Sequence, residues 1–276
     1  MRLYALPQGV ARQKGDVLQI SQHASLDGVV DNLTAVLSQA EVVAEVPLQS
    51  AIDNNAWAPL LNRCGQFIIA GLNYRAHCAE IGVAVPEKLV FGKAPGSAIH
   101  YSGGAVLMPA EAHTQVDYEG EIGLLIGKAA DHVAVADAWD CIAGIMPLND
   151  VSARDVQAGG TLEAVGQAKG FATFKPCGPW LFTPDEFADK NDIRLRTWVN
   201  DEQRQEGQSA DMVFDLPTIV SVVSARIPLA PGDIICTGTP GGVAHGGAYP
   251  YLSPGDKVTI QLDDLPPLYN EFQLTA

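Results

Sequence analysis

The sequence predicts a strand-rich α+β protein, and three observations lead to this class. Apolar residues make up 47% of the chain and charged residues 18%, which is ordinary for a folded protein with a core. Short apolar segments of β character recur along the chain, separated by turn signals such as SGG, PGD and SPGD. Regular alternation of strands and helices is absent, which argues against a doubly wound parallel sheet.

The pattern divides the 276 residues into two parts. In residues 1–66, MRLYAL, DVLQI and EVVAEVPL have the pattern of strands, and DGVVDNLTAVLSQA has helical spacing. The polar stretch QSAIDNN then leads towards FIIAGLNY, which opens the second part. We therefore predict a small N-terminal α/β domain over residues 1–66 and a larger domain over residues 67–276.

The second part is predicted to be mostly β-structure with few helices. Its expected strands are LVFGK, EIGLLIG, CIAGIMPLN, IRLRTWVN, DIICTG and KVTIQL, and its clearest helices are VSARDVQA and LPTIVSVVSA. Ser152 and Asp155 fit a capping box for the first helix, and Asp215 is the expected N-cap of the second.

Composition excludes several classes of protein. The formal net charge is −15 and only 17 lysines and arginines are spread along the chain, which argues against nucleic-acid binding. Five cysteines without a CxxC pair indicate reduced thiols rather than a disulfide framework or a zinc ribbon. The start lacks the apolar region of a signal peptide, and no apolar run approaches the roughly 18 residues of a membrane span. We expect a cytoplasmic protein without a membrane partner.

The stretch VDYEGEIGLLIG carries three acids at alternate positions. In a strand, Asp117, Glu119 and Glu121 share one face. A further acid, Asp150, follows the apolar strand CIAGIMPLN. Oxygen ligands without histidine or cysteine suit Mg²⁺ or Mn²⁺ rather than zinc. The alternative is a solvent-exposed face, which spacing alone favours for Asp117 and leaves evenly balanced for Glu119 and Glu121.

Three further groups of polar residues can carry chemistry or be ordinary surface. His77 and Glu80 are three apart, as an imidazole and its orienting carboxylate would be on a helix with Asn73 as cap. Arg154 and Gln157 have the same spacing and can grip a planar carboxylate. Lys169 can equally be a solvated loop residue.

Several long motifs in order resemble the fumarylacetoacetate hydrolase family from about residue 67 to the C-terminus. They are GLNYRAHCAE, LVFGK, DYEGEIGLLIG, GIMPLNDVSARDVQ, AKGFATFKPCGPW, WVNDEQRQ, DMVFDLPTIVSVVSARIPLAPGDIICTGTPGGV and YLSPGDKV. The resemblance implies a mixed β-sandwich roll, usually a homodimer, and a small variable N-terminal domain. It also implies a divalent-metal site on Glu119, Glu121 and Asp150, with Asp117 as a neighbour.

The same resemblance assigns roles to the other candidates. His77 and Glu80 become a water-activating pair on a short lid helix, and Lys169 is placed against the substrate oxygens. Residues facing the substrate would be Tyr74, Lys93, Arg154, Gln157 and Thr239. Two departures stand out: Asp201 in VNDE where glycine is common, which would make a positive-φ turn costlier, and DDLPPLYNEF near the end.

The leading hypothesis is a Mg²⁺- or Mn²⁺-dependent hydrolase that cleaves a carbon–carbon bond in an acylpyruvate or related 1,3-diketo acid. The alternative keeps the metal and the enolate chemistry but omits the attack by water, as in a decarboxylase of an oxaloacetate-like acid or an isomerase of a dienoic diacid. A third hypothesis, a binding protein without catalysis, is disfavoured because all the catalytic candidates are present together.

Overall fold

The computed structural model describes residues 1–112, 114–157 and 161–275. Within these residues the strands, in chain order, are β1 (Arg2–Leu6), β2 (Gly9–Lys14), β3 (Val17–Ser21), β4 (Val42–Pro47), β5 (Phe67–Gly71), β6 (Val90–Ala94), β7 (Ile99–Tyr101), β8 (Val106–Met108), β9 (Val116–Asp117), β10 (Gly120–Ile126), β11 (Ile142–Asn149), β12 (Ser152–Ala153), β13 (Lys175–Cys177), β14 (Trp180–Phe182), β15 (Arg194–Val199), β16 (Glu202–Gln208), β17 (Ile234–Cys236), β18 (Lys257–Leu262) and β19 (Leu268–Leu274). The α-helices are α1 (Leu33–Gln39), α2 (Leu48–Asp53), α3 (Arg75–Glu80), α4 (Arg154–Gln157), α5 (Leu162–Ala168) and α6 (Leu216–Ser224). The predicted strand-rich α+β class is confirmed.

Three sheets organise the described part of the chain. The largest has the strand order β4-β3-β2-β1-β14-β11-β10-β17-β5-β6, with β13 joining β11 to β7. A five-stranded sheet has the order β16-β15-β18-β19-β8, and β9 pairs with β12 in a third. Strands β10 and β11 are central and buried on both faces, which explains their nearly continuous apolar sequences.

Apolar side chains fill both faces of the large sheet. Along β1, Tyr4 and Leu6 pack into one cluster, whereas Leu3 and Ala5 pack into another, as the two-residue period of a strand requires. The first cluster is covered by α6 and the second by α1. Beyond α6, the first cluster also takes in Leu195 and Leu262, so the five-stranded sheet packs against the same core.

The first 66 residues continue the large sheet rather than forming a sheet of their own. Strand β1 pairs with β14, with Leu3 opposite Leu181, and the ring of Tyr4 meets Phe182 edge-on with 5.6 Å between centroids. Backbone pairing and core packing both cross the predicted domain boundary at residues 66–67. Whether the N-terminal part folds as a separate domain stays a prediction.

Several local predictions hold and several do not. Asp215 caps α6 by accepting a hydrogen bond from Thr218 N at 2.9 Å, as predicted. The expected capping box is wrong, because Ser152 lies in β12 and its hydroxyl donates to Asp150 O. Helix α4 is confined to Arg154–Gln157. Ala158, the predicted last residue of that helix, lies outside the described residues.

Two stretches expected to be irregular have a defined structure. Much of the polar stretch after β4 belongs to α2. In the β15–β16 turn, Asn200 takes the positive φ, at 55°, so Asp201 does not carry the strain that was expected of it. Among the described residues, no helix combines the length and the apolar character that crossing a membrane requires.

Substituting Tyr4 tests whether residues 1–66 unfold with the rest of the chain. Tyr4→Ala removes an aromatic ring shared with Trp57 and Phe182, and we expect a loss of about 3 kcal/mol in the free energy of unfolding. Urea unfolding followed by tryptophan fluorescence and by circular dichroism should give one coincident transition, shifted as a whole. The exposed Val43→Ala is the control, and a shift confined to one of two separate transitions would mean that the N-terminal part folds alone.

Candidate active site

A cavity of about 660 Å³ opens beside the start of β10, where the predicted acids lie. Of the residues predicted from sequence, it is lined by His77, Lys93, Glu119, Glu121, Arg154, Gln157, Lys169 and Thr239. Asp150 and Glu80 stand directly behind this lining, hydrogen-bonded to Lys169 and near His77 respectively. Tyr74 is not part of the lining.

The register of β10 and β11 brings three carboxylates together. Gly120 pairs with Asn149 in this antiparallel ladder, so the residues that flank Gly120 and the residue that follows Asn149 meet at one end of the sheet. One oxygen from each of Glu119, Glu121 and Asp150 lies within 4.8 Å of the others, and all three residues are buried. The predicted grouping of these acids is confirmed as geometry.

Buried cations neutralise most of this charge. Among the described residues, the acids of this site are Asp117, Glu119, Glu121 and Asp150, and Arg154, Lys169 and Lys175 form ion pairs with three of them: Asp117, Glu119 and Asp150. Lys169 Nζ lies 2.5 Å from both Glu119 and Asp150, and Lys175 forms an ion pair with the other oxygen of Asp150. Three cations against four carboxylates leave one acid without a basic partner.

That acid is Glu121, and its environment differs sharply from that of Glu119. Burial, together with the carboxylates of Asp150 and Glu119, holds the pKa of Glu121 well above its usual range. Burial also acts to raise the pKa of Glu119, but Lys169 and Arg154 outweigh it and hold that pKa well below its usual range. Glu121 therefore favours its neutral form unless another positive charge is supplied.

The donor set fits a hard divalent cation. All three groups are carboxylates, which Mg²⁺ and Mn²⁺ prefer, and the adjoining cavity leaves room for water or substrate oxygens. Within the described chain, the Glu121 carboxylate accepts a hydrogen bond from Gly238 N at 2.7 Å. Gly238 has a φ of 98°, and a Cβ there would lie 2.7 Å from that of Asn73, so glycine allows this close approach.

Asp117 is buried but serves a different purpose from the other acids. The strand is interrupted after Asp117, which pairs with Ser152 of β12, so the three acids do not lie on one continuous face. Its carboxylate accepts hydrogen bonds from Arg154 and from the backbone N–H groups of Ala244 and His245. The exposed position that spacing favoured for Asp117 is wrong, because these donors compensate its charge.

His77 and Glu80 form the expected pair on α3. The Nδ1 atom of His77 lies 3.3 Å from Glu80 Oε2, and since a carboxylate only accepts, Nδ1 is the nitrogen that donates; in the neutral imidazole the lone pair is then on Nε2. The other oxygen of Glu80 accepts from Gly242 N at 2.9 Å. The expected cap is wrong: Tyr74 is the N-cap residue, and Asn73 instead bonds Phe214 and Thr237.

Arg154 and Gln157 line the cavity, but they are engaged with protein groups. The guanidinium of Arg154 bonds Asp117 through Nε and Nη2, Glu119 through Nη2, and Gln157 through Nη1. In this arrangement Arg154 orients Glu119 and Gln157. Its predicted grip on a substrate carboxylate stays a prediction and would need the Gln157 contact to open.

The remaining substrate-binding candidates are placed less directly. Tyr74 is enclosed in the core with its hydroxyl buried, and burial raises its pKa beyond its usual range. Lys93 lines the cavity, but its ammonium donates to Gln66 Oε1 at 2.5 Å. The hydroxyl of Thr239 donates to Gly120 O and accepts from Gln205. Thr239 thus fixes the start of β10, and one lone pair remains for a ligand.

Sequence reasoning missed three residues of this site. Lys175 is fully buried and pairs with Asp150, while Gln205 links Gly120 N to Thr239. His245 lines the cavity, and burial, with the charge of Arg154, lowers its pKa. Lysine and glutamine at these positions look like ordinary strand residues in the sequence. Two of the quoted motifs offered a signal: AKGFATFKPCGPW contains Lys175 as its second lysine, and WVNDEQRQ ends at Gln205.

A strand-rich core that presents three clustered carboxylates and a histidine–carboxylate pair to one cavity describes a class of metal-binding enzyme site. The model of the fumarylacetoacetate (FAA) hydrolase C-terminal family matches residues 66–273. The chain therefore belongs to the fumarylacetoacetate hydrolase family.

Relatives with different activities share this family. The chain is 36% identical over 218 residues to the oxaloacetate tautomerase of Bacillus subtilis, covering 78% of this chain and 71% of the relative. It is 34% identical over 245 residues to the 2,4-didehydro-3-deoxy-L-rhamnonate hydrolase of a Sphingomonas species, covering 87% and 85%. The maleylpyruvate hydrolase of a Sphingobium species, solved with manganese(II) and pyruvate, superposes with a TM-score of 0.77 at 27% identity, covering all of both chains.

Replacing Glu121 tests its part in metal binding. Its raised pKa means that the folded, metal-free chain keeps a proton that the unfolded chain loses above about pH 4.5. The stability of the metal-free protein therefore falls as pH rises above that value, up to the folded-state pKa. Glu121→Gln should remove this loss and raise the melting temperature in chelator at neutral pH, with the advantage vanishing near pH 4.5.

Added metal should stabilise the parent chain more than the Glu121→Gln variant. At a Mg²⁺ concentration of about 100 times Kd, the parent chain should gain about 2.7 kcal/mol. This corresponds to roughly 5–10 °C in melting temperature, and Glu121→Gln should gain much less. The exposed Glu87→Gln is the matched control. Equal stabilisation of all three proteins by Mg²⁺ would exclude Glu121 as a ligand.

Removing the ammonium of Lys175 should leave one buried oxygen of Asp150 without its basic partner, while Lys169 continues to contact the other. We expect Lys175→Met to reduce the free energy of unfolding by about 3–5 kcal/mol in metal-free protein. The exposed Lys128→Met should change it by less than about 0.5 kcal/mol. Urea unfolding at constant m-value measures both, and similar small effects would show that Asp150 does not depend on Lys175.

Proposed function

We propose that this chain is a Mg²⁺- or Mn²⁺-dependent hydrolase that cleaves a carbon–carbon bond in an acylpyruvate or a related 1,3-diketo 2-oxo acid. One observation carries the proposal: His77, oriented by Glu80, lines the same cavity as Glu119, Glu121 and Lys169. A base for activating water and a site for a chelating 2-oxo acid thus face one space of suitable size.

The cluster of Glu119, Glu121 and Asp150 would hold the cation. Bound there, it would attract the carboxylate and keto oxygens of a 2-oxo acid and lower the energy of the enolate that develops. Glu119 would be in the ionised form that binds a cation, because Arg154 and Lys169 lower its pKa.

His77 would take a proton from water through Nε2 while Glu80 stabilises the imidazolium. The water oxygen bonds to the distal carbonyl carbon, and the bond from that carbon to the methylene group breaks. The electron pair of the broken bond passes to the methylene carbon and is delocalised onto the 2-keto oxygen, which gives the enolate of pyruvate. His77 can then return the proton to that carbon, leaving a carboxylic acid and pyruvate.

Lys169 would assist at the oxygens of the substrate. Its ammonium is buried, lines the cavity and remains charged, because Asp150 and Glu119 raise its pKa despite its burial. A fixed positive charge next to the developing enolate stabilises it more strongly in this enclosed place than it would in water. Lys169 cannot act as the base in this state, which leaves that part to His77.

A second candidate function is enolate chemistry without water attack: tautomerisation or decarboxylation of an oxaloacetate-like acid, or isomerisation of a dienoic diacid. The similarity to an oxaloacetate tautomerase favours it. The same His77 would then move a proton between carbon and oxygen of the substrate. Homodimeric assembly and a cytoplasmic location remain predictions that go with either function.

Two substrates given to the same preparation should separate the candidates. With Mg²⁺ or Mn²⁺ present, we expect acetylpyruvate to yield pyruvate and acetate while oxaloacetate is unchanged, and excess chelator should abolish the reaction. His77→Ala should lower kcat by about 10²–10⁴-fold and leave metal-induced thermal stabilisation unchanged.

The exposed His132→Ala is the control for the histidine substitution. Equal loss of turnover and metal binding in His77→Ala would contradict a base role. Rapid turnover of oxaloacetate with acetylpyruvate intact would favour the second candidate.

A further inference from the structure

The cavity is lined by two kinds of side chain. Besides the charged cluster, its lining includes an apolar wall contributed by four segments: Leu72, Ile81, Val83, Val90, Phe91 and Val165. Ile81 and Val83 directly follow α3, which carries His77, and Val90 and Phe91 belong to the edge strand β6. The base and much of this wall are therefore held by neighbouring parts of the chain.

This apolar wall remains accessible rather than closing into the core. Val83 is 41% exposed and Val90 37% exposed, which puts both among the most exposed large hydrophobic residues of the described chain. The other four wall residues are half-buried. Accessible apolar surface that adjoins a reactive centre marks a place where a ligand is bound.

The basic side chains that line the cavity already have ion-pair or hydrogen-bond partners within the protein. Arg154 and Lys169 are paired with the buried acids, and the ammonium of Lys93 donates to Gln66. Lys93 is the one cation of the described lining whose partner is neutral, so it is the competing candidate for binding a second carboxylate.

We propose that the apolar wall binds the acyl group of the substrate and selects an uncharged, aliphatic or aromatic group over one that ends in a carboxylate. This inference rests on the proposed function and narrows its substrate class to acylpyruvates with an apolar acyl group. Val83 and Val90 are the specificity-determining residues.

Size supports an acyl group larger than acetyl. A cavity of about 660 Å³ has room for on the order of 20 water molecules at about 30 Å³ each. The pyruvoyl part of a substrate, held at the charged cluster, fills only a small share of the cavity. Each methylene group that contacts the apolar wall should tighten binding about fourfold, whereas a carboxylate there would lose its hydration without gaining a partner.

Unreactive 2-oxo acids test the wall without relying on turnover. In the presence of saturating Mg²⁺, calorimetric titration would compare pyruvate, 2-oxohexanoate and 2-oxoadipate. The last two have equal chain length and differ in whether the far end is methyl or carboxylate. We expect 2-oxohexanoate to bind on the order of 50-fold more tightly than pyruvate, and 2-oxoadipate at least about tenfold more weakly than 2-oxohexanoate.

A charge placed on the wall should change this preference. Val83→Lys should weaken 2-oxohexanoate binding several-fold and strengthen 2-oxoadipate binding by up to about fivefold, with pyruvate unaffected. Val43→Lys adds the same charge at a valine that is 54% exposed in β4 and does not line the cavity, so it should leave all three affinities unchanged.

The possible failures are distinguishable. If pyruvate shows no metal-dependent binding, the proposed function is wrong and the inference fails with it. If pyruvate binds but 2-oxoadipate equals or exceeds 2-oxohexanoate, only the inference is overturned. In that case Lys93→Met should abolish the advantage of the dicarboxylate, which would place its second carboxylate at Lys93.

Discussion

The antiparallel pairing of β10 with β11 is the constraint on which the site depends. Because Gly120 stands opposite Asn149, Glu119, Glu121 and Asp150 reach the same end of a buried sheet although about 30 residues separate them in sequence. A Cβ on Gly120 would lie 2.1 Å from Thr197 Oγ1, so the five-stranded sheet packs directly against this register. Gln205 and Thr239 hold the same glycine through its N–H and C=O, which leaves the ladder little freedom to slip.

Compensation by buried cations is what makes such a cluster compatible with folding. Isolated buried carboxylates are very unfavourable, and each of Asp117, Glu119 and Asp150 has an arginine or lysine in contact. Glu121 has no such ion pair among the described residues, so the cluster falls one positive charge short of neutralising its acids. The basic residues thus compensate three of the four buried acids and leave Glu121 without an ion-pair partner in the described chain.

Local sequence patterns identified most elements and the acids, whereas the pairing partners depended on tertiary structure. The apolar runs of β10 and β11 and the Asp215 cap follow from periodicity and capping chemistry, and the sequence motifs pointed to the triad and to His77. The burial of Asp117 could not be foreseen, because its compensation comes from Arg154 and from backbone donors 127 and 128 residues away. Asn73 is of a residue type that commonly caps helices, but its side-chain amide donates hydrogen bonds to the carbonyl oxygens of Phe214 and Thr237 instead.

The hydrogen bond from Gly242 to Glu80 has a consequence for how two parts of the site are coupled. The loop that carries Gly242 also supplies the Gly238 N–H to Glu121, so one segment contacts both the partner of His77 and the acid cluster. A Cβ at Gly246 would overlap the Glu80 side chain, so a larger residue there would have to displace the partner of His77. A shift of this loop would therefore move the partner of His77 and the acid cluster together, so neither can be adjusted through the loop without the other.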